Sequence, residues 1–187
     1  MPVEMLHFRG SDAILKEKRL ISDIHLTMDY LSDVLDGSSY RRELTHQALA
    51  EMGWRENGTL AILEGRRYQH KGFKKRIALE GNFATYEYIL EGLLRLQVSF
   101  DKGRIDAGVL MLTAQRSEKS SYGSSYDLVK TEVEMLTPTI SLPVSVALFD
   151  IGRPVATEYI HQGGNHGISV PAGHTPAAEN DAQVTPP

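Results

Sequence analysis

The stretch from Lys74 to Leu112 constrains the fold most, because it sets a long amphipathic segment between two apolar strands. Lys74-Lys75-Arg76-Ile77-Ala78-Leu79-Glu80-Gly81-Asn82-Phe83 reads as a strand. From Tyr86 to Phe100, Ile89, Leu90, Leu93, Leu94, Leu96 and Val98 recur as in a helix packed on a sheet. A tight turn at Asp101-Lys102-Gly103-Arg104 leads into Ile105 to Leu112, a nearly continuous apolar run of the kind buried strands show. Tyr126 to Leu136 predicts a further helix and Pro143 to Ile151 a closing strand. The order strand, helix, strand, helix, strand implies an α/β core with helices packed on a mixed sheet.

Upstream, residues 11–35 read as one helix, capped by Ser11 or Asp12 and apolar at Ile14, Leu15, Ile21, Ile24, Leu31 and Leu35. Asp36-Gly37-Ser38-Ser39 breaks the chain. A helix from Tyr40 to Met52 stops at Gly53-Trp54, where Trp54 is expected to anchor the core. Asn57-Gly58 signals a turn, with Thr59 to Leu63 as a short strand. At 187 residues and 41% hydrophobic composition, the chain suits one domain, over residues 1–160. Residues 161–187 are rich in Gly, Pro, Ala, Asn and His and are expected to form a disordered tail. Its His161, His166 and His174 are too irregularly spaced to define a metal site.

No apolar run approaches the roughly 20 residues of a membrane helix. Met1-Pro2-Val3-Glu4 does not open a secretory signal. The absence of cysteine excludes disulfides, thiolate zinc and cysteine catalysis, and fits the cytoplasm. Gly-rich phosphate loops, dinucleotide fingerprints, nucleophile elbows and His-Glu-x-x-His are absent too.

Glu80 is the strongest chemical candidate. A lone Glu at a strand end is commonly a solvated surface residue. Here an apolar run leads straight into it, and a buried element seldom ends in an unpartnered charge. Strand side chains alternate, so Glu80 and Asn82 are expected to aim at one spot. A carboxylate beside a polar group can hold a divalent ion and an attacking water against a phosphodiester. Gly81 between them permits close approach of a backbone or ligand. Asp106 reads as a salt-bridge partner before it reads as a ligand, and Asp150 as a strand terminator. Tyr122 and Tyr126 flank a Ser/Gly loop that suits either DNA contact or an ordinary surface connection. Net charge is −4, which argues against indiscriminate binding to nucleic acid. Yet Arg66, Arg67, Lys71, Lys74, Lys75 and Arg76 form a local basic stripe. It is either a solvated face or a phosphate-contacting one.

Taken in order, these segments resemble the BglII/BstYI-type restriction endonucleases, a branch of the PD-(D/E)xK nucleases, over roughly residues 5–152. His7-Phe8-Arg9-Gly10 leads the first helix. Leu49-Ala50-Glu51-Met52-Gly53-Trp54-Arg55-Glu56 is similar to that family's helix ending in Gly-Trp. Phe73 to Phe83 is similar to its catalytic strand, Lys102 to Val109 to its Ile-Asp-Val-Gly-Val strand, and Leu142-Pro143-Val144-Ser145-Val146 to its closing strand.

The resemblance implies a restriction-endonuclease-like mixed sheet flanked by helices. It also implies Mg²⁺-dependent cleavage of a short palindromic site in double-stranded DNA by a homodimer. On that basis Glu80 falls at the metal-binding Glu and Asn82 at the third active-site position. His70 is a further metal candidate, and Arg66, Arg67, Lys71, Lys74 and Lys75 are the DNA-binding candidates. One departure is serious. The family places an Asp nine positions before the Glu, and here that position is Lys71, which repels Mg²⁺. Either the missing ligand comes from His70, Glu64 or Asp106 and the chain cuts DNA, or the chain binds DNA or another partner without cutting. A homologue with no DNA role is the third possibility.

Overall fold

A computed structural model describes residues 3–56, 59–83, 88–114 and 123–151. The elements are β1 (Glu4–Phe8), α1 (Ser11–Glu17), α2 (Ile21–Leu35), α3 (Arg41–Glu51), β2 (Gly72–Lys74), β3 (Ile77–Gly81), α4 (Tyr88–Asp101), β4 (Ala107–Thr113), α5 (Tyr126–Met135) and β5 (Val144–Phe149). The five strands form one sheet in the order β1-β5-β4-β3-β2. β3, β4 and β5 run parallel, while β1 and β2 are antiparallel edges. The sheet is therefore mixed and the α/β expectation holds. Among the described residues no helix is long and apolar enough to cross a membrane.

Each face of the sheet carries its own apolar cluster. Ile77, Leu79, Val109 and Met111 pack with Leu15, Ile24, Met28, Leu31 and Trp54 from the N-terminal helices. Ala78, Leu110 and Leu112 pack on the other side with Ile89, Leu93 and Leu96 of α4 and Val129 and Val133 of α5. Strand alternation divides β3 between the clusters and directs Glu80, which shares the parity of Ala78, toward α4.

The segment expected to be one helix over 11–35 is two. Arg19 adopts a left-handed φ of 55°. The amide of Leu20 bonds back to the carbonyl of Leu15 at 3.0 Å, which closes α1 in a Schellman-type turn. Neither expected cap serves α1. Gly10 occupies the cap position and the Ser11 hydroxyl donates to the Val144 carbonyl instead, at 3.0 Å. The segment 74–83 is a hairpin, not one strand. Lys75 and Arg76, with φ of 48° and 65°, turn β2 back onto β3. Thr59 to Leu63 is not a strand, and contributes only an isolated bridge between Ala61 and Gln69. Trp54 is fully buried as expected, with its Nε1 donating to Thr27 Oγ1 at 2.9 Å. The start expected for α4 at Tyr86, the Ser/Gly loop with Tyr122, and the tail with His161, His166 and His174 lie outside the described residues.

Candidate functional site

Glu80, one residue before the end of β3, lies inside the protein at 0% exposure. Its carboxylate does not face solvent. His70 Nδ1 lies 2.7 Å from Oε1, the Tyr88 hydroxyl donates to Oε2 at 3.1 Å, and Arg95 Nε pairs with Oε2 at 3.1 Å. Tyr88 and Arg95 reach it from one face of α4, where the spacing of seven residues matches two helical turns. Gly92, between them, lets α4 approach the sheet. A Cβ there would stand 2.4 Å from Leu110 Cδ1. His70 arrives from the chain just before β2, held by its amide bond to the Leu60 carbonyl at 2.8 Å.

A carboxylate only accepts, so His70 Nδ1 carries the proton, and in the neutral ring Nε2 accepts from the Ser99 hydroxyl at 2.7 Å. Burial alone would lower the Arg95 pKa, but the Glu80 charge and hydrogen bond outweigh it and hold the guanidinium above its ordinary value. Burial, reinforced by the Glu80 charge, raises the Tyr88 phenol, so it remains a donor. Ser99, His70 and Glu80 stand in the order of a hydrolytic triad. Ser99 and His70 are only 0% and 2% exposed, however, and a nucleophile must meet its substrate.

Asn82 is placed elsewhere. The ladder ends at Gly81, so the alternation that would align Asn82 with Glu80 stops one residue short. Asn82 lines a cavity of about 350 Å³ together with Arg42, Thr45, His46, Lys71 and Gly81, a set that excludes Glu80. Arg41 also borders it, but its guanidinium is committed to backbone carbonyls of Ser38, Phe83 and Ile151. Gly81 leaves this wall as bare backbone, because a Cβ there would fall 2.8 Å from Met111 Cβ and 2.9 Å from the Met111 carbonyl oxygen.

The basic stripe does not form one surface. Arg66 and Arg67 are exposed, and Arg66 borders a separate depression with Glu64, Lys102 and Arg104. Lys74 pairs with Asp23 at 2.8 Å and lies 5.6 Å from the centre of the Trp54 ring. Lys75 donates to the Lys18 carbonyl at 3.2 Å. Arg76 binds Asp106 through several hydrogen bonds, and Lys18 binds it at 2.5 Å, so Asp106 is the salt-bridge partner its sequence context suggests. Lys71 lies half-buried in the cavity wall, and its ammonium has no hydrogen bond or ion pair among the described residues. Arg95, Tyr88, Ser99, Arg42 and His46 carried no motif that sequence reading could single out.

A divalent ion needs several hard oxygen donors around one point. Among the described residues no three His, Asp or Glu side chains converge, and both oxygens and both ring nitrogens of the Glu80–His70 pair are engaged. As folded, these residues do not fit Mg²⁺.

The sheet order, the parallel centre and the flanking helices define a restriction-endonuclease-like fold. The chain superposes on the crystal structure of restriction endonuclease BglII complexed with a DNA 16-mer, with a TM-score of 0.60 at 13% identity, over 80% of this chain and 76% of that one. Free BglII gives a TM-score of 0.52 at 13% identity, over 80% and 79%. No protein-family model matches the sequence, and no curated protein does.

Proposed function

We propose that this chain is a restriction-endonuclease-like protein that acts on double-stranded DNA in the cytoplasm, as a homodimer on a short palindromic site. The shared fold and the DNA-bound state of BglII support the choice of partner. Two-fold DNA calls for a two-fold protein. α1, α2 and α3 supply the dimer contact, and Leu26 on α2 is 62% exposed.

The geometry favours binding without hydrolysis. One observation carries this: Lys71, a cation, borders the cavity at the position where the resemblance asks for a metal-bridging Asp, while Glu80 is already matched by Arg95 inside the protein. The hydrolytic reading, with Mg²⁺ at Glu80 and Asn82 beside it, rests on the placement of Glu80 at the end of a central strand of this fold. It requires Glu80 to leave His70, Tyr88 and Arg95.

Supercoiled plasmid incubated with Mg²⁺ and with Mn²⁺ separates the two readings. Equal lack of nicking by the wild type and Glu80→Ala is expected, with duplex binding retained in a gel shift at low salt. Metal-dependent nicking that Glu80→Ala abolishes would establish the hydrolytic reading. Sedimentation velocity checks the dimer, and a monomer on DNA would remove that part of the proposal.

A further inference from the structure

We propose that the cavity at the end of β3 is an anion site, in which Lys71, Arg42 and His46 seat one phosphate group without a metal ion. The inference rests on the DNA reading for the identity of that phosphate, a backbone diester, but not for the existence of the site.

Three observations converge. The cavity, about 350 Å³, falls within the roughly 300–1,000 Å³ of ordinary ligand sites. Its charged lining is cationic, and no carboxylate borders it. Arg41 is spent on three carbonyls, but Lys71, Arg42 and His46 have no hydrogen bond or ion pair among the described residues. Lys71 and Arg42 would meet the phosphate oxygens as charge-assisted donors, with Asn82 in the same lining.

The electrostatics agree. Burial, then Arg55, Lys71 and Arg42, hold His46 below its ordinary pKa, against a smaller opposing pull from Glu43. Burial likewise lowers Lys71, with Arg95, Arg42 and Arg55 adding to it and Glu80 opposing from the strand. Lys71 and Arg42, two cations that repel each other beside one cavity, gain when an anion enters.

Isothermal titration of the full chain with inorganic phosphate in EDTA, against chloride at matched ionic strength, tests the site. A 16-base-pair duplex is titrated in parallel. Phosphate should bind the wild type. Lys71→Gln should weaken it about ten-fold, Arg42→Gln by about three-fold or more, and Lys71→Arg should restore most of the affinity, as expected for charge-assisted contacts. Thermal melts identify any variant that fails to fold. Arg42 is exposed, so Arg42→Gln decides the matter if Lys71→Gln does not fold. Phosphate binding without duplex binding upholds the site and defeats the DNA reading. Duplex binding that neither substitution weakens removes the backbone diester as the ligand of this site, and phosphate binding that neither substitution weakens overturns the site. Absence of phosphate binding to the wild type also overturns the site.

Discussion

Glu80 shows how fully the surroundings of a buried acid can answer its charge and its lone pairs. In this chain its charge is answered by Arg95 and its lone pairs by His70 and Tyr88. Removing one member of such a pair strands the other. Replacing Glu80 with Gln should cost about 2–4 kcal/mol, somewhat below the usual loss for a broken buried pair because Arg95 keeps 21% exposure. Urea unfolding measures it, and a change under about 0.5 kcal/mol would mean that the cluster is not structural. Asp106 gives the pH counterpart. The Arg76 hydrogen bonds, with Lys18, depress its carboxyl from 3.8 to about 2. A depressed acid stabilises the fold above its unfolded pKa and loses that contribution as pH falls through the folded value. The carboxylate is 34% exposed, so screening reduces the effect to about 1 kcal/mol. Wild type should therefore lose about that much stability relative to Asp106→Asn between roughly pH 4 and 2. Parallel curves for the two proteins over this window would contradict the assignment.

At the scale of elements, Gly81 is a packing requirement of the β3–β4 pair. Restoring a β-branched residue by Gly81→Val drives a Cβ against Met111 backbone and side chain. Overpacking of this kind should cost about 1–3 kcal/mol, read by thermal or urea melts. Unchanged stability would show that β3 can shift away from β4. The elements that sequence made legible are those whose signal is long and local: α3, α4, α5, β4 and β5 all stand within a few residues of their expected spans. The misses have particular causes. Arg19 ends α1 in a conformation usually given to Gly, so the apolar period ran on unbroken through the stop. Lys75-Arg76 turns a hairpin without the Asn or Gly that advertises one. β1 is a five-residue edge whose partner, β5, lies some 140 residues away, beyond any local signal. In the site, Glu80 and Lys71 were visible through their spacing within one segment. Arg42, His46, Arg95 and Ser99 come from two helices that only the tertiary fold brings alongside.

In the whole molecule, a restriction-endonuclease-like sheet carries an acid that is satisfied internally beside a cavity whose charged lining is cationic. Such a protein should meet DNA through phosphates, with sequence preference left to residues at base edges. Binding through phosphates releases counterions, and each contact steepens the salt dependence. The most direct measurement is the fluorescence anisotropy of a labelled duplex in EDTA, titrated across a series of salt concentrations. The predicted result is a straight fall of log K with log salt, with a slope of about −3 or steeper and lowered in magnitude by about 1 in Lys71→Gln. No binding at low salt, or a slope that Lys71→Gln leaves unchanged, would contradict it.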